Sequence, residues 1–231
     1  MKTYVGADAC KGGWVAVVID EVGFVDAFVG PGIREIESEA IERFAAAALV
    51  VDIPIGVPDS GPRQADLLAR AFIRPRGSSV FPTPVRPALM VPTYAQARIA
   101  SVASSGKSLS SQAYHIRERI LDVDGHIADA RIPLLEGHPE VSFRAMNREG
   151  IADPKKSFAG TLLRRELLAR EGIDVPLGLE KSLRGAALDD VLDAAAMAWS
   201  AQRVARGEAD RFPPAELSER FSDGIDSAIW F

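Results

Sequence analysis

Three short apolar runs open the chain, at residues 3–8, 13–20 and 23–29, and segments containing glycine separate them. Such runs, with turn residues between them, are typical of an antiparallel meander of strands. The next segment, IREIESEAIERFAAAA, follows Pro31 and has the apolar spacing of a helix. The continuous apolar run LVVDIPIGVP after it is typical of a strand buried on both faces. The pattern therefore predicts the order βββαβ.

The hydrophobic periodicity is interrupted in the next part of the chain. Prolines are frequent from Pro54 to Pro92, so long regular structure is not expected there apart from the helical stretch RQADLLARAF. We interpret residues 56–125 as an insertion within a single domain that spans residues 1–231. Elements predicted after the proline-rich part are helices at 93–104 and 110–124, a strand at 137–143, a basic helix at 157–171 and a final helix at 185–206.

Composition narrows the class of protein. The 231 residues are 47% hydrophobic, which is enough to bury the core of one large domain. A single cysteine excludes a disulfide framework within the chain, and neither a spanning apolar stretch nor a signal-peptide pattern is evident. We therefore expect a cytoplasmic protein that does not bind membranes. The net charge of −5 argues against a generic nucleic-acid coat protein, although a local basic surface remains compatible with it.

Two carboxylates lie in the apolar runs that are predicted to be neighbouring strands. Asp8 ends the first run, and Asp52 precedes IPIG in the fourth. A buried carboxylate without a partner is costly, so it usually pairs with a cation, binds a metal or takes up a proton. Because the carboxyl ends of adjacent strands form sites in open α/β sheets, we expect Asp8 and Asp52 to lie close together.

The final helix adds two further acids in AALDDVLDAAAMAWSAQRV. At 3.6 residues per turn, Asp190 and Asp193 share a face with alanines and Met197, whereas Asp189 groups with Ser200 and Arg203 on a polar strip. Acids are favoured on the solvated face at the start of a helix, which explains Asp189. It explains Asp190 and Asp193 poorly, because they lie on an apolar face. Four carboxylates predict a site for hard cations, Mg²⁺ or Mn²⁺, that could hold two ions and cleave a phosphodiester.

The motifs also resemble a known group of proteins. The order βββαβ with Asp8, Asp52 and the D-x-x-D of Asp190 and Asp193 is similar to the ribonuclease H-like superfamily, particularly its Holliday-junction resolvases. Resolvases commonly have Glu where this chain has Asp52. The strings GADACKGGW, VDIPIGVP, RQADLLAR, SSVFPTP, GHPEVSF and DDVLDAAAMAW together resemble the family known as domain of unknown function 429, described as predicted ribonuclease H-like nucleases.

This resemblance implies an α/β fold with a mixed five-stranded sheet flanked by helices and a proline-rich insertion. It also implies a metal-dependent nuclease whose metal ligands are Asp8, Asp52, Asp190 and Asp193, with nucleic acid of unknown type as its partner. A resolvase would act as a homodimer, although no heptad pattern marks an interface here.

Further residues are candidates for the same site. Glu140 in GHPEVSF alternates with His138 and Ser142 along the predicted strand, so the three should share a face. An ion pair of Glu140 with Arg144 or a nearby lysine is the structural alternative. Arg63, Arg70 and Arg76 in the insertion could bind phosphate, or Asp66 could pair with Arg63 and Arg70 to fix the helix. Lys156 is a weaker candidate at the start of the basic helix, whose Arg164 and Arg165 we expect on a solvated face.

Two other functions remain compatible with the sequence. An ATP-dependent phosphotransferase of the actin and sugar-kinase type places a glycine hairpin after an aspartate, and GADACKGGW has that order. Such enzymes normally enclose nucleotide between two domains, and 231 residues provide one. A noncatalytic nucleic-acid-binding or interaction module that keeps its acids for stability is the other alternative.

Overall fold

A mixed sheet of seven strands runs through residues 2–231, the part of the chain that the computed structural model describes. The strands are β1 (Thr3–Cys10), β2 (Gly13–Ile19), β3 (Phe24–Gly30), β4 (Ala46–Val51), β5 (Leu134–Gly137), β6 (Arg211–Phe212) and β7 (Ile229–Trp230). Their order is β3-β2-β1-β4-β5-β7-β6. The first three form the predicted antiparallel meander, and β4 joins β1 in parallel. The predicted order βββαβ is therefore confirmed.

The sheet has two more strands than predicted. Strand β7 pairs with β5 in parallel and with β6 in antiparallel orientation, which extends the sheet at the β5 edge. Each of these strands has two residues, which is too short for an alternating pattern to be visible in the sequence. The predicted α/β class is confirmed, but the predicted number of strands, five, was wrong.

Helices flank this sheet. Those in the described residues are α1 (Ile33–Phe44), α2 (Gln64–Phe72), α3 (Arg86–Leu89), α4 (Tyr94–Ser105), α5 (Ser111–His115), α6 (Arg117–Asp124), α7 (Pro139–Met146), α8 (Phe158–Arg170) and α9 (Leu188–Arg206). The predicted helices at 93–104, 157–171 and 185–206 correspond to α4, α8 and α9. The one predicted at 110–124 is interrupted at Ile116, which separates α5 from α6. No helix within residues 2–231 is long and apolar enough to cross a membrane.

The prediction of a strand at 137–143 was wrong. The strand β5 ends at Gly137, and α7 begins at Pro139. The ring nitrogen Nδ1 of His138 accepts a hydrogen bond from the backbone N–H of Glu140, which caps the helix. Proline is favoured in the first turn of a helix because it lacks the N–H that would be unpaired there. His138, Glu140 and Ser142 therefore do not alternate along a strand.

Both faces of the sheet are buried. Along β2, Val15, Val17 and Ile19 belong to the core on one side, while Trp14 and Val18 belong to the core on the other. Alternation of this kind in an entirely apolar strand follows from the two-residue repeat of a strand covered by helices on both sides. The first of these cores contains the buried residues of α9.

Gly6 allows α9 to lie directly on β1. A Cβ atom at Gly6 would be 2.0 Å from the backbone nitrogen of Ala198 and 2.2 Å from the carbonyl oxygen of Ala194. Backbone atoms cannot rotate away as a side chain can, so any side chain at position 6 would push the helix off the sheet. This close approach sets the position of the acids on α9 above the end of β1.

We expect Gly6→Ala to lower the free energy of unfolding by about 3 kcal/mol or more, as in severe overpacking of a core. Gly32→Ala is the matched control: the nearest atom to its added Cβ is a carboxylate oxygen of Glu35, at 2.7 Å, and that side chain can move. The control should cost about 1 kcal/mol or less. Urea unfolding followed by circular dichroism measures both, and equal effects would contradict the close packing inferred for Gly6.

Candidate metal centre

The strand register brings Asp8 and Asp52 together. Ala7 of β1 pairs with Val51 of β4, so the next residue on each strand is one of the two aspartates. The backbone N–H of Asp52 continues this pairing by donating to the carbonyl oxygen of Ala7, at 3.0 Å. Asp8 lies within β1 and Asp52 directly follows β4, so both acids sit where the parallel strands end.

Asp193 completes a cluster of three carboxylates. It lies in the second turn of α9, and its side chain is almost completely buried. One oxygen from each of Asp8, Asp52 and Asp193 lies within 4.8 Å of the others, so the three could hold a metal ion. We call these residues the Asp triad. Two strands and one helix, distant in the sequence, thus converge on one point as the sequence pattern predicted.

Burial and mutual repulsion make the charged form of the triad unfavourable. The pKa of Asp8 is well above its ordinary value, mainly because the group is buried and secondarily because Asp52 and Asp193 are close. Burial also raises the pKa of Asp52 and of Asp193 to about 7, although the ammonium of Lys155 opposes the increase. These carboxylates need positive charge beside them to be ionised at neutral pH.

Lys155 supplies part of that charge. Its Nζ lies 2.5 Å from Oδ2 of Asp193 and 3.8 Å from Oδ2 of Asp189. Attraction to Asp193, and also to Asp8 and Asp52, outweighs the cost of burial and raises the pKa of Lys155, so this side chain remains an ammonium. The sequence pattern favoured Lys156 instead, but the Lys156 side chain is 78% exposed and its Nζ pairs with Asp189 alone, at 3.6 Å.

Asp190 lies beside the triad and is bound to its own helix. Its Oδ2 accepts the backbone N–H of Ala187 at 2.8 Å, which caps the start of α9. Half-burial raises the pKa of Asp190, and that capping bond partly offsets the increase. Asp190 lines the same cavity as the triad, but one of its two oxygens is already used.

The acids open into a cavity of about 400 Å³. The triad, Asp190 and Lys155 form one part of its wall. The proline-rich segment forms another part with Val80, Phe81, Pro82 and Thr83. Cavities of this size are typical of binding sites for small molecules or for one unit of a polymer. The structure thus places carboxylates, one ammonium and apolar side chains around a single opening.

A family model described as "Protein of unknown function (DUF429)" matches residues 6–217. The chain belongs to this family. All three residues of the triad lie inside the matched range. No curated protein gives a significant match to the chain.

Glu140 of this DUF429 chain also lines the cavity, but it is paired. Its Oε1 accepts a hydrogen bond from Nη2 of Arg164 at 2.6 Å, and its Oε2 lies 3.7 Å from Nε of Arg76. The Arg164 side chain is 1% exposed, so the prediction of a solvated face for Arg164 was wrong. Arg144, one of the alternative partners suggested for Glu140, instead donates to the carbonyl oxygens of Asn147 and Arg148.

The three candidate arginines of the proline-rich segment have different surroundings. Arg63 is almost fully buried and donates to both oxygens of Glu136 at 2.7 Å and to Oδ1 of Asp66 at 2.6 Å. Arg70 donates to the carbonyl oxygen of Val80, so Asp66 pairs with Arg63 and not with Arg70. Arg76 alone lines the cavity with a partly exposed guanidinium, at 21% exposure. Arg63 therefore supports the cavity wall, and Arg76 is the arginine best placed to meet a ligand.

Neither Glu136 nor the role of Lys155 was predicted from the sequence. Glu136 lies in the short strand β5, and its Oε2 accepts the backbone N–H of Ile55 at 2.7 Å as well as the bond from Arg63. The available signal was an acid in PLLEG, a run that is short and apolar like a buried strand and that directly precedes HPE. Lys155 has no periodic signal, since it lies outside any helix or strand.

Proposed function

We propose that this DUF429 protein is a metal-dependent nuclease with a ribonuclease H-like core. The observation that supports the proposal is the convergence of Asp8, Asp52 and Asp193 in the wall of a cavity of about 400 Å³. Oxygen-rich clusters of this kind suit Mg²⁺ and Mn²⁺, which catalyse phosphodiester cleavage in many enzymes. The acids arise from β1, from the end of β4 and from α9, the elements on which the sequence resemblance places them.

The triad fits a hard divalent cation on charge as well as on donor type. Three carboxylates face one ammonium, so the ionised cluster has excess negative charge, which is reflected in the raised pKa values of Asp8, Asp52 and Asp193. No thiolate or imidazole belongs to the triad, which favours Mg²⁺ or Mn²⁺ over zinc. When bound, such an ion would acidify a water and neutralise charge on the phosphodiester.

The remaining groups of the cavity have distinct roles in this proposal. The triad holds the cation, and Asp190 fixes the first turn of α9 through its bond to Ala187. The positive charges of Lys155 and Arg76 attract and orient the phosphate of the nucleic acid. Val80, Phe81 and Pro82 give the cavity an apolar wall that limits access of bulk water.

The sheet supports the ribonuclease H-like assignment. Five of its strands follow the order β3-β2-β1-β4-β5, with an antiparallel meander followed by parallel β4 and β5. The two short strands beyond β5 extend this arrangement without altering the neighbours of β1 and β4. We treat the resemblance as support for the type of site, since one fold can host several activities.

The phosphotransferase alternative is less well supported at the hairpin it requires. The turn between β1 and β2 consists of Lys11 and Gly12, and the backbone N–H of Lys11 donates to the carbonyl oxygen of Gly185 at 3.2 Å. A hairpin that holds phosphates must direct free N–H groups at the ligand. Of the two N–H groups in this turn, that of Lys11 is already bonded within the protein.

Cleavage of labelled nucleic acids tests the proposed function. We expect the wild type to cut at least one of single-stranded, duplex, hybrid or branched substrates in Mg²⁺ or Mn²⁺ and not in EDTA. Asp8→Asn and Asp193→Asn should each reduce the rate by about a hundredfold or more, because each removes part of a cation site that contributes several kcal/mol.

Asp129→Asn is the matched control, since Asp129 is 67% exposed and pairs with Arg34 away from the cavity. It should cut at the wild-type rate. Absence of cutting on the whole panel, or equal cutting by the triad variants, would reject the nuclease. Binding of ATP in place of cutting would instead support the phosphotransferase.

A further inference from the structure

Asp193 is shared between the triad and Lys155. It contributes an oxygen to the group that lies within 4.8 Å, and its Oδ2 is 2.5 Å from Nζ of Lys155. In a two-metal site the ions lie about 3.5–4 Å apart, so both need carboxylates from one small cluster. A second cation would also have to use Asp193 as a ligand. The ammonium of Lys155 already lies at that position beside the triad.

The other acids around this point are already engaged. Oδ2 of Asp190 accepts the N–H of Ala187, and Asp189 lies 3.8 Å from Lys155 and 3.6 Å from Lys156. Glu140 is bonded to Arg164 at 2.6 Å. A second divalent ion would have to break several of these contacts and also approach a fixed positive charge.

We propose that the centre takes one divalent cation and that the ammonium of Lys155 replaces the second. This inference rests on the metal site of the proposed function and concerns the number of ions that the site holds. The Lys155 side chain is 36% exposed and lines the cavity, so its Nζ is also accessible to an anion. Lys155 would then contact a phosphate oxygen directly, which a second metal does in two-metal enzymes.

The segment around Lys155 holds it in place. The carbonyl oxygen of Lys155 accepts a hydrogen bond from Oγ1 of Thr161 at 3.0 Å, and Ser157 caps α8 through the N–H of Gly160. The backbone from which the ammonium extends is therefore tied to the first turn of a helix. A preorganised charge needs little rearrangement when a phosphate arrives.

Titration of the apo protein with Mn²⁺, followed by calorimetry and by the electron spin resonance signal of free Mn²⁺, counts the ions. We expect one ion per chain for the wild type. Lys155→Met should raise the affinity for Mn²⁺ by about tenfold or more, since a nearby like charge is removed, and should admit a second ion. If Lys155 only held Asp193 in position, Lys155→Met would instead lower the affinity for Mn²⁺, because Asp193 would no longer be fixed.

Lys156→Met is the matched control, since it removes the neighbouring ammonium, which is 78% exposed and touches Asp189 only. It should leave the number of ions at one and the affinity within about twofold. Lys155→Arg retains the charge and should also bind one ion. Two ions on the wild type, or an unchanged or weaker affinity for folded Lys155→Met, would overturn the proposal.

The number of bound ions is measured independently of the cleavage activity, so the two proposals can fail separately. A chain that binds one Mn²⁺ but cuts no nucleic acid would reject the nuclease and keep the single-cation centre. A chain that cuts nucleic acid while binding two ions would keep the nuclease and reject the role of Lys155.

Discussion

Asp8→Asn should remove most of the stabilisation of the protein by Mn²⁺ or Mg²⁺. At a metal concentration a hundredfold above Kd, the wild type should gain about 2.7 kcal/mol, which for a domain of this size raises Tm by about 5–10 °C. Asparagine keeps the shape of the Asp8 side chain but lacks its charge, and it removes one of the three carboxylate ligands of the triad. The variant should therefore show less than about a fifth of that shift.

The same substitution should stabilise the metal-free protein at pH 8. The folded-state pKa of Asp8 is well above its ordinary value, and those of Asp52 and Asp193 are about 7, so the folded chain holds protons that the unfolded chain releases. Stability is then lost as pH rises from about 4 through 7. The amide introduced by Asp8→Asn cannot ionise and relieves the repulsion, so the decline from pH 5 to pH 8 should flatten.

Thermal unfolding at pH 5, 6.5 and 8, with metal and with EDTA, measures both effects. Asp129→Asn serves again as the control, because its exposed carboxylate lies outside the triad. It should have the wild-type metal shift and the wild-type pH dependence. A metal shift of wild-type size in Asp8→Asn would mean that the ion binds elsewhere. A metal-free variant that is less stable than the wild type at all three pH values, with an unchanged decline, would mean that Asp8 is ionised against a partner.

The triad was predictable because each acid interrupts a strong pattern. Asp8 and Asp52 lie within or next to apolar runs that form β1 and β4, and Asp193 lies on an apolar face of α9. A polar residue in a fully buried element requires an explanation, and the parallel arrangement of β1 and β4 supplies a common location. The local sequence therefore indicated both the elements and their shared site.

The error around GHPEVSF shows where local pattern fails. Val141, Ser142 and Phe143 are all fully buried in α7, so no amphipathic alternation marks this helix. A short apolar run has the same appearance in a buried strand and in a buried helix. The position of Pro139, directly after a residue able to cap a helix, was the signal that distinguishes the two.

The lysine next to Asp193 was not predictable for a different reason. Lys155 and Lys156 are adjacent and chemically identical, and the fold alone turns the first toward Asp193 and the second toward solvent. Arg164 was misassigned for the same reason, since its burial against Glu140 depends on how α8 meets α7. Charged side chains lack the periodicity that identifies apolar ones, so their partners emerge only from tertiary structure.

Arg63→Met should lower the free energy of unfolding by about 3–5 kcal/mol, the usual cost of leaving a buried charge without its partner. Arg63 donates two bonds to Glu136, two to Asp66 and one to the carbonyl oxygen of Ile55. Met has a similar length and is apolar, so the effect measures lost charge more than lost volume. The two carboxylates would remain buried, at 2% and 4% exposure, without the cation between them.

Arg70→Met, in the helix α2 that begins directly after Arg63, is the matched control. Arg70 is half-buried and donates only to the carbonyl oxygen of Val80, so its loss should cost about 1 kcal/mol. Adding Glu136→Leu to Arg63→Met should recover part of the loss, because one unpaired charge is removed together with its partner. Urea unfolding of the wild type, the two single variants and the double variant measures these differences. Equal costs for Arg63→Met and Arg70→Met would show that Arg63 does not support the cavity wall through these carboxylates.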